Sequence, residues 1–473
     1  MNRFYLIIVL FCLLGVANVY SQNYIKIEKQ KNSETKYYIY AVYFADKDTQ
    51  AFKNSVPTDY LSTKAIERRK KFNIEITAQD YPVKMEYLGY LRDTMNVEVL
   101  KWSKWLNCAI IRTDDTLKYN KIQELSFVVP KPKPQKKLIT NYQNRVPAAT
   151  LKYKELRQLD VYRYGFSENQ VKMINVHRLH NLGFDGKGVT IAVFDGGFLR
   201  VDKTRAFDSL IVSKRLLGWY DFVDMDTIIF DKGDHGRQVL STMAANSWEM
   251  VGTAPQASYY LFVTEDGNSE TQLEEYNYVI AAEKSDSLGV DLIHASLGYQ
   301  DFDIKTLSYT YQQIDGNTAI STIGADIAAS KGIIVVTSAG NEGNDFWGKI
   351  TAPADGDSVI CVGAVDPSGY LADFSSRGST YDGRIAPLVC AQGVSVATQG
   401  RNNISTPDGT SFSGPIVAGG IACLLQAFPN LTFSQLYEAL AATALQANNP
   451  DNQMGYGIAN FYKAYLYLKQ KSK

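Results

Sequence analysis

Residues 409–415 read Gly-Thr-Ser-Phe-Ser-Gly-Pro and carry the strongest structural signal in this chain. They place Ser411 among small residues at the point where an apolar helical run begins. Because the first backbone N–H groups of a helix have no intrahelical acceptor, they can stabilise negative charge that develops beside such a serine. Ser411 is therefore a candidate nucleophile, provided that folding brings an acid and a base to it.

Around this serine the chain alternates between helical patterns and continuous apolar runs, which are typical of strands buried on both faces of a sheet. We expect strands at residues 189–194, 258–263, 291–295, 333–337 and 359–362 and helices at residues 272–288 and 319–330, from Ser411 and from about Ser434. This alternation predicts an α/β domain with a mostly parallel sheet. Its sites should lie beyond the carboxyl ends of the strands.

Three polar residues occupy such positions. Asp195 follows the strand at 189–194 directly, His235 lies between glycines at a helix start, and Asn341 follows the strand at 333–337. Each has an ordinary explanation by itself, such as a turn aspartate or a loop asparagine. Together they supply the acid and the base that a nucleophilic serine requires, and a side-chain N–H donor at the edge of the sheet.

The segments around Asp195, His235, Asn341 and Ser411 resemble the motifs of the subtilisin-like serine proteases (subtilases, peptidase family S8), and they follow one another in the same chain order. The resemblance covers residues 164–463 and implies a subtilisin-like three-layer fold. It implies that His235 takes the proton of Ser411 and that Asp195 orients the imidazole. Asn341 and the backbone N–H of Ser411 would then bind the oxyanion, with weaker help from Thr410.

The same resemblance implies a substrate-binding surface. Ser296, Leu297 and Gly298 look like the segment on which a peptide pairs as an added strand. Ala339 and Gly340 look like a wall of the primary specificity pocket.

Two positions depart from the family pattern. Arg237 stands where a small hydroxyl residue is usual after His-Gly, and Gly196 follows Asp195 in place of threonine or serine. Neither change removes a catalytic group, so we expect them to affect the shape of the cleft and hence specificity.

The chemistry that the resemblance implies needs no cofactor. His177 and His180 lie three apart but lack a third metal ligand at a suitable spacing, and His294 lies inside an apolar strand. All three are interpreted as surface or packing residues. The acidic loop 221–234 could hold structural calcium, as many subtilases do, but it lacks the glycine spacing of an EF-hand loop. A solvated acidic loop is the favoured interpretation.

Residues 1–21 have the features of a cleaved signal peptide: Asn2-Arg3, an apolar run from Phe4 to Val19, and small residues before the expected cut after Ser21. A membrane anchor is the alternative, although the run is near the short limit for spanning. We therefore expect an exported protein, secreted or periplasmic, without a membrane anchor after signal cleavage. The 49 basic and 49 acidic residues balance, so no bulk field favours nucleic acid.

Residues 22–129 contain short strands and a charged helical stretch at 61–71, which predict a small α+β domain. By resemblance it would be a propeptide that assists folding and inhibits the enzyme until it is cut. Residues 68–71 could form a processing or binding site, but a solvated helix face is favoured. A Pro-rich basic stretch opens a linker, residues 130–164, with an expected processing site. The catalytic domain would span residues 165–473.

The resulting hypothesis is an active exported serine endopeptidase, made as a zymogen, that acts on proteins or peptides. The alternative is an inactive binding or inhibitory protein on the same fold, which the presence of all four catalytic residues disfavours. An esterase is a poor match because the serine segment is not Gly-x-Ser-x-Gly. A dinucleotide site is also a poor match because Gly183, Gly186 and Gly188 precede their strand.

Overall fold

The computed structural model describes residues 24–29, 35–47, 49–52, 55–132, 145–151 and 159–472. The predicted signal peptide and residues 133–144 and 152–158 of the predicted linker lie outside the described residues.

The chain forms two sheets, one small hairpin and a series of helices. The strands are β1 (Lys26–Lys29), β2 (Lys36–Phe44), β3 (Glu98–Ser103), β4 (Cys108–Thr113), β5 (Val128–Val129), β6 (Thr190–Asp195), β7 (Leu216–Asp221), β8 (Ser258–Val263), β9 (Leu292–Ala295), β10 (Ile334–Ser338), β11 (Val359–Val365), β12 (Val389–Gln392), β13 (Thr398–Gln399) and β14 (Ile404–Ser405). The α-helices are α1 (Thr49–Phe52), α2 (Thr63–Lys71), α3 (Met85–Asp93), α4 (Thr116–Gln123), α5 (Glu168–Met173), α6 (Val176–Asn181), α7 (Asp208–Val212), α8 (His235–Ala244), α9 (Gln272–Leu288), α10 (Ile320–Ser330), α11 (Thr410–Ala427), α12 (Phe433–Thr443) and α13 (Phe461–Lys471).

The N-terminal domain is an antiparallel sheet in the order β1-β2-β4-β3, with β5 also paired to β2. Side chains of β2 alternate between two cores because successive residues of a strand point to opposite faces. Tyr40 and Val42 pack with residues of α3 and α4, whereas Ile39 and Tyr43 pack in a core shared with α9. The prediction of a small α+β domain is confirmed.

The C-terminal domain is organised around seven parallel strands in the order β12-β11-β10-β9-β6-β8-β7. The chain places β7 and β8 on one side of β6 and the four later strands on the other side. Such a change of direction opens a crevice at the carboxyl end of the strand where it occurs. Asp195 ends that strand, so the topology places it at the crevice.

Helices cover both faces of this parallel sheet, which confirms the three-layer prediction. Along β6, Val193 faces a core that includes side chains of α8 and α11, whereas Phe194 faces a core that includes side chains of α9 and α10. Burial on both faces explains why the strand reads as one continuous apolar run.

The helix α11 is the only one in the described part of the chain that is long and apolar enough to cross a membrane, and 78% of that stretch is buried inside the fold. A helix that is apolar all round is typical of a protein core as well as of a membrane. Four cysteines of the described residues are buried and free: Cys108, Cys361, Cys390 and Cys423.

The contact between the two domains corrects one sequence prediction. Arg68 and Arg69 of α2 are only 5% and 2% exposed, so the favoured solvated helix face is wrong for them. Arg69 donates to Asp286 of α9 at 2.7 Å and to Asp80 at 2.9 Å, and Arg68 also pairs with Asp286. A planar guanidinium can satisfy several acceptors at once, which makes arginine suited to a buried ion pair between domains.

Candidate active site

The acid and the base predicted from sequence lie in direct contact. Asp195, at the end of β6, is 2% exposed, and its Oδ1 and Oδ2 lie 3.0 and 2.9 Å from Nδ1 of His235. The carboxylate can only accept, so Nδ1 must carry the proton of this hydrogen bond. The other ring nitrogen, Nε2, is therefore the one available to accept a proton.

The electrostatics of this pair favour a basic imidazole. Burial by itself would lower the pKa of His235, but the charge of Asp195 and its hydrogen bond to the ring outweigh burial and raise that pKa above its ordinary value. The ring of His235 also packs against Phe412, with centroids 5.7 Å apart. Because Phe412 follows Ser411 directly, this packing brings the imidazole to the first turn of α11.

The candidate nucleophile lies in that first turn, as predicted. The backbone of Ser411 is fixed by the hydroxyl of Ser296, which donates a hydrogen bond to the Ser411 carbonyl oxygen at 2.9 Å. Ser338, at the end of β10, donates in the same way to the carbonyl oxygen of Thr410 at 2.9 Å. Two strand ends therefore fix the start of the helix relative to the sheet.

The side-chain amide of Asn341 is oriented by Thr410. The Asn341 Oδ1 accepts from the Thr410 backbone N–H at 2.9 Å and from the Thr410 hydroxyl at 2.9 Å. Since Oδ1 is occupied by two donors, the Nδ2 group is the end of the amide that can serve an outside acceptor. Thr410 thereby orients the amide, and the weaker oxyanion role that the resemblance implies for it stays a prediction.

The predicted substrate-binding residues lie at the same edge of the sheet. Ser296–Gly298 continues the line of β9, and Ala339–Gly340 continues the line of the neighbouring strand β10. Ser296 and Ala339 are buried, Leu297 is half-buried, and Gly298 is exposed. Contacts join Asp195 to His235, Ser296 to the Ser411 backbone and Asn341 to Thr410. The assignment of all nine residues to catalysis and substrate binding stays a prediction.

The remaining histidines are packing residues or partners of the site. His180 is buried between the Tyr164 hydroxyl at 2.8 Å and the Thr253 carbonyl at 3.0 Å, and burial lowers its pKa to about 4. His294 is also buried, and burial lowers its pKa to about 3. Its Nε2 lies 2.6 Å from the hydroxyl of Ser296, so it contacts the site indirectly.

The acidic loop does not fit a calcium site. Asp221 is fully buried, so the expectation of a solvated loop is wrong for this residue. Lys232 lies 2.6 Å from Asp221 and also contacts Asp224, so an ammonium group occupies the position between the two carboxylates. Within the described ranges, no group of three or more His, Cys, Asp or Glu side chains is arranged to hold a metal.

Arg237 is buried beside the site but points away from the crevice. Its guanidinium donates to the carbonyl oxygens of Gln399 and Leu199, at 3.1 and 2.9 Å, and to Asp234 at 3.2 Å. The residue therefore ties α8 to the loop after β6 and to β13.

Sequence reasoning missed Glu265, which lies two residues beyond the end of β8. Its carboxylate accepts from the hydroxyls of Thr264 and Tyr299, each at 2.7 Å. Burial, with smaller contributions from the charges of Glu270 and Asp195, raises the pKa of Glu265 to about 7. A carboxylate just after an apolar strand was the available signal, since the same signal identified Asp195.

This fold and site define a subtilisin-like serine endopeptidase with an additional N-terminal domain. The Subtilase family profile matches residues 186–457, and the profile of the Peptidase S8 propeptide domain of Bacteroidota matches residues 39–148. The chain therefore belongs to the subtilase family and carries its propeptide domain.

Individual relatives agree with this assignment. Subtilisin E of Bacillus subtilis (strain 168) is 33% identical over 307 residues, which are 64% of this chain and 70% of that protein. The subtilisin of Bacillus pumilus is also 33% identical, over 59% of this chain and 90% of its own length. The crystal structure of fervidolysin from Fervidobacterium pennivorans, a keratinolytic enzyme related to subtilisin, covers 94% of this chain and 63% of its own, with a TM-score of 0.60 and 20% identity. That likeness shows the fold.

Proposed function

We propose that this protein is an exported serine endopeptidase, made as a zymogen, which cleaves peptide bonds with Asp195, His235 and Ser411. The observation that carries the proposal is the contact of Asp195 with Nδ1 of His235, at 2.9 Å, beside the first turn of α11. This contact fixes the tautomer in which Nε2 can act as a base.

The proposed reaction begins when a peptide pairs with Ser296–Gly298 as an added strand. The hydroxyl oxygen of Ser411 attacks the peptide carbonyl carbon while His235 Nε2 takes the hydroxyl proton. Asp195 stabilises the resulting imidazolium. The amide of Asn341 and the backbone N–H of Ser411 donate to the oxyanion. The carbon–nitrogen bond then breaks while His235 returns the proton to the leaving amine, and water hydrolyses the acyl-enzyme.

We assign an inhibitory and folding role to residues 22–129. The N-terminal domain is bound to α9 by buried groups, which supports a stable complex before cleavage. Glu283 of α9 accepts from the backbone N–H groups of Lys104 and Trp105, each at 3.0 Å, and from the hydroxyl of Ser103. Charge-assisted bonds of this kind are stronger than bonds between neutral groups.

The processing site is proposed in the linker, residues 130–164, before the catalytic domain at 165–473. Residues 145–151 are attached to the catalytic domain, because Val146 N–H donates to the Tyr456 hydroxyl at 3.1 Å and Ala149 N–H donates to the Ala442 carbonyl at 2.8 Å. A cut before Arg145 would release the propeptide and leave these contacts intact.

Export is proposed from the charged start and apolar run of residues 1–21, and the mature protein would act on proteins or peptides outside the cytoplasm. No cofactor is assigned to the chemistry. The competing function, an inactive binding or inhibitory protein, would require that this geometry be unable to transfer a proton.

Precursor processing tests the proposal. Expression of Ser411→Ala should accumulate the uncut precursor, whereas the wild type should appear as two fragments. Ser413→Ala is the matched control, since it removes a serine hydroxyl two residues away and should be processed normally. Equal processing of Ser411→Ala and the wild type in a host without other subtilases would contradict self-processing and favour the inactive protein.

A further inference from the structure

The helix α2 of the N-terminal domain lies across the ends of two helices of the catalytic domain, α9 and α10. Each of them is followed within two residues by a glycine at positive φ, Gly289 at +80° and Gly332 at +84°. A Cβ built on Gly289 would lie only 2.8 Å from the backbone nitrogen of Ala65 in α2, so a larger residue there would push α2 away. Because the last carbonyl groups of a helix have no intrahelical donor, two sets of free acceptors face α2 at this contact.

The side chain of Arg68 fills the space between these two helix ends. Its Nε donates to the Lys331 carbonyl oxygen at 3.0 Å, and its Nη1 donates to the Val290 carbonyl oxygen at 2.6 Å. Its Nη2 donates to the Asp286 carbonyl oxygen at 3.1 Å and to the Asp286 carboxylate. All three nitrogens of the guanidinium are therefore bound by acceptors that belong to the catalytic domain. We call these four oxygen atoms the guanidinium cage.

The geometry of the guanidinium cage favours arginine over lysine. Its oxygens are distributed over the three nitrogens of one planar group, which satisfies all of them together. A lysine ammonium is a single point of charge on a flexible chain and cannot reach all four. Arg68 is buried, so each missing donor would leave an unsatisfied acceptor. The carboxylate of Asp286 and the C-terminal ends of two helices also give the cage negative charge.

A second acceptor lies one helical turn away from the cage. Lys64, four residues before Arg68, pairs with Asp291 and donates to the Thr190 hydroxyl at 2.7 Å. Residues four apart lie on the same face of a helix. The catalytic domain therefore receives a lysine and an arginine from one face of α2 at two separate places. A cavity of about 350 Å³ opens beside Lys64, Arg68 and Asp291, which leaves room for side chains other than those of α2.

The surface around the cage carries charges of both signs. Lys331 lies 3.3 Å from Asp80 of the N-terminal domain, and Lys187 lines the cavity. A general attraction of basic proteins is therefore not expected, and recognition depends on the positions of individual groups.

The cage is remote from the crevice that holds the candidate catalytic residues. Val290 precedes β9, whereas Ser296 follows the same strand. Since a strand rises by about 3.3 Å per residue, roughly 20 Å separates the cage from the crevice. A molecule bound in the cage would leave Ser411 accessible to small peptides.

We propose that the guanidinium cage is a binding site for a second protein, an exosite, in the mature enzyme. After the propeptide is released, the cage binds an arginine from a helical segment of that protein, and Asp291 pairs with a lysine four residues before the arginine. The inference rests on the proposed function only for the release of the propeptide. The arginine of the partner restores the hydrogen bonds that Arg68 makes in the precursor.

Two alanine-rich helical peptides of about 17 residues, long enough to form a helix in water, test the proposal. One carries a lysine and, four residues later, an arginine; the other carries lysine at both positions and has the same charge. The matured wild type is first inactivated with a fluorophosphonate so that it does not cut the peptides. Fluorescence anisotropy should give a Kd at least about tenfold lower for the arginine peptide. The uncut Ser411→Ala precursor, whose cage holds Arg68, should bind neither peptide.

Two variants of the mature enzyme locate the binding. Asp286→Asn removes the charge from the cage and should reduce the preference for the arginine peptide to less than about threefold. Asp366→Asn is the matched control, because this residue follows β11 at the opposite end of the sheet, and it should keep the wild-type preference. Absence of binding, equal Kd values for the two peptides, or an unchanged preference in Asp286→Asn overturns the exosite. If Asp286→Asn does not mature, the two Kd values of the wild type decide the question.

A second measurement needs no maturation and separates this inference from the proposed function. In the uncut Ser411→Ala precursor, Arg68→Ala empties the cage. Ethylguanidinium, which matches the removed part of the side chain, should raise the Tm of this variant, whereas propylammonium should not. The precursor that keeps Arg68 should not respond to either cation. A wild type that fails to mature contradicts the proposed function, and equal rescue by both cations, or by neither, overturns the guanidinium cage itself.

Discussion

The Thr410 backbone N–H and hydroxyl both donate to the Oδ1 of Asn341, each at 2.9 Å. The residue before the candidate nucleophile therefore determines which end of the amide faces the crevice. The carbonyl oxygen of Gly340, 3.1 Å from the same hydroxyl, is a second and more distant acceptor for its single proton. A donor fixed before the reaction needs no reorganisation when the oxyanion forms.

Replacement of Asn341 should reduce turnover with little effect on substrate binding. Asn341→Ala removes the Nδ2 donor, and the corresponding loss in subtilisin costs on the order of 10²–10³ in kcat. Thr410→Val keeps the backbone N–H but removes the hydroxyl, so its loss of kcat should be smaller, about tenfold. Steady-state kinetics on a peptide substrate give both values. A larger fall in kcat for Thr410→Val than for Asn341→Ala would contradict this account of the amide.

The activity should fall on the acid side as His235 becomes protonated. Asp195 raises the pKa of His235 above 6.5, so the neutral ring, which is the base, is lost as pH falls through that raised value. Asp195→Asn removes the charge that raises the pKa and should move the acid limb of kcat/KM to lower pH. It should also lower kcat by roughly 10⁴, the effect of this change in a serine-protease triad. An unchanged acid limb in Asp195→Asn would show that another group titrates.

The buried ion pairs between the domains should dominate the stability of the precursor. Asp286→Ala removes the carboxylate that pairs with the buried guanidinium groups of Arg68 and Arg69. The free energy of unfolding should fall by about 3–5 kcal/mol, because a buried charge is left without its partner. The matched comparison is the pair of Lys64 with Asp291, whose side chains are 40% and 29% exposed. Lys64→Ala should cost less than about 1 kcal/mol.

Chemical denaturation of the uncut Ser411→Ala precursor measures both changes. If Asp286→Ala and Lys64→Ala reduced the free energy of unfolding equally, the result would contradict the importance assigned to burial of the ion pair.

Glu265 should make stability depend on pH near neutrality. Its folded pKa of about 7 lies above the ordinary value of 4.5, so the folded state holds a proton that the unfolded chain has released. This contribution is fully present below pH 4.5 and is lost as pH rises through 7. Thermal unfolding of the Ser411→Ala precursor at pH 5, 7 and 9 should show a steeper decline than the same protein carrying Glu265→Gln. Parallel curves would mean that Glu265 is ionised in the folded state throughout.

Helices and strands whose hydrophobic pattern matches their burial in the fold were predictable from sequence. The bounds of α9, Gln272–Leu288, and of β8, Ser258–Val263, agree with the predicted ranges to the residue. The signal for β8 is a continuous apolar run. The signal for the end of α9 is Gly289, a glycine in a left-handed conformation directly after the helix. The edge strand β7 was missed because its residues alternate in exposure and its register shifts between Leu216 and Gly218.

Features that depend on distant partners could not be predicted. Arg69 is read as a surface charge because its partner Asp286 lies 217 residues away in the chain. The proposed acid, base and nucleophile could be selected from the sequence because each follows a strand or begins a helix at one edge of the sheet.

Covalent labelling measures the central claim most directly. The matured wild-type protein is treated with a fluorophosphonate, digested, and analysed by mass spectrometry to locate the adduct. The account predicts one adduct, on Ser411, and its loss in His235→Ala, because the hydroxyl needs that base to react. An adduct on another serine, or none on a fully matured protein, would contradict it.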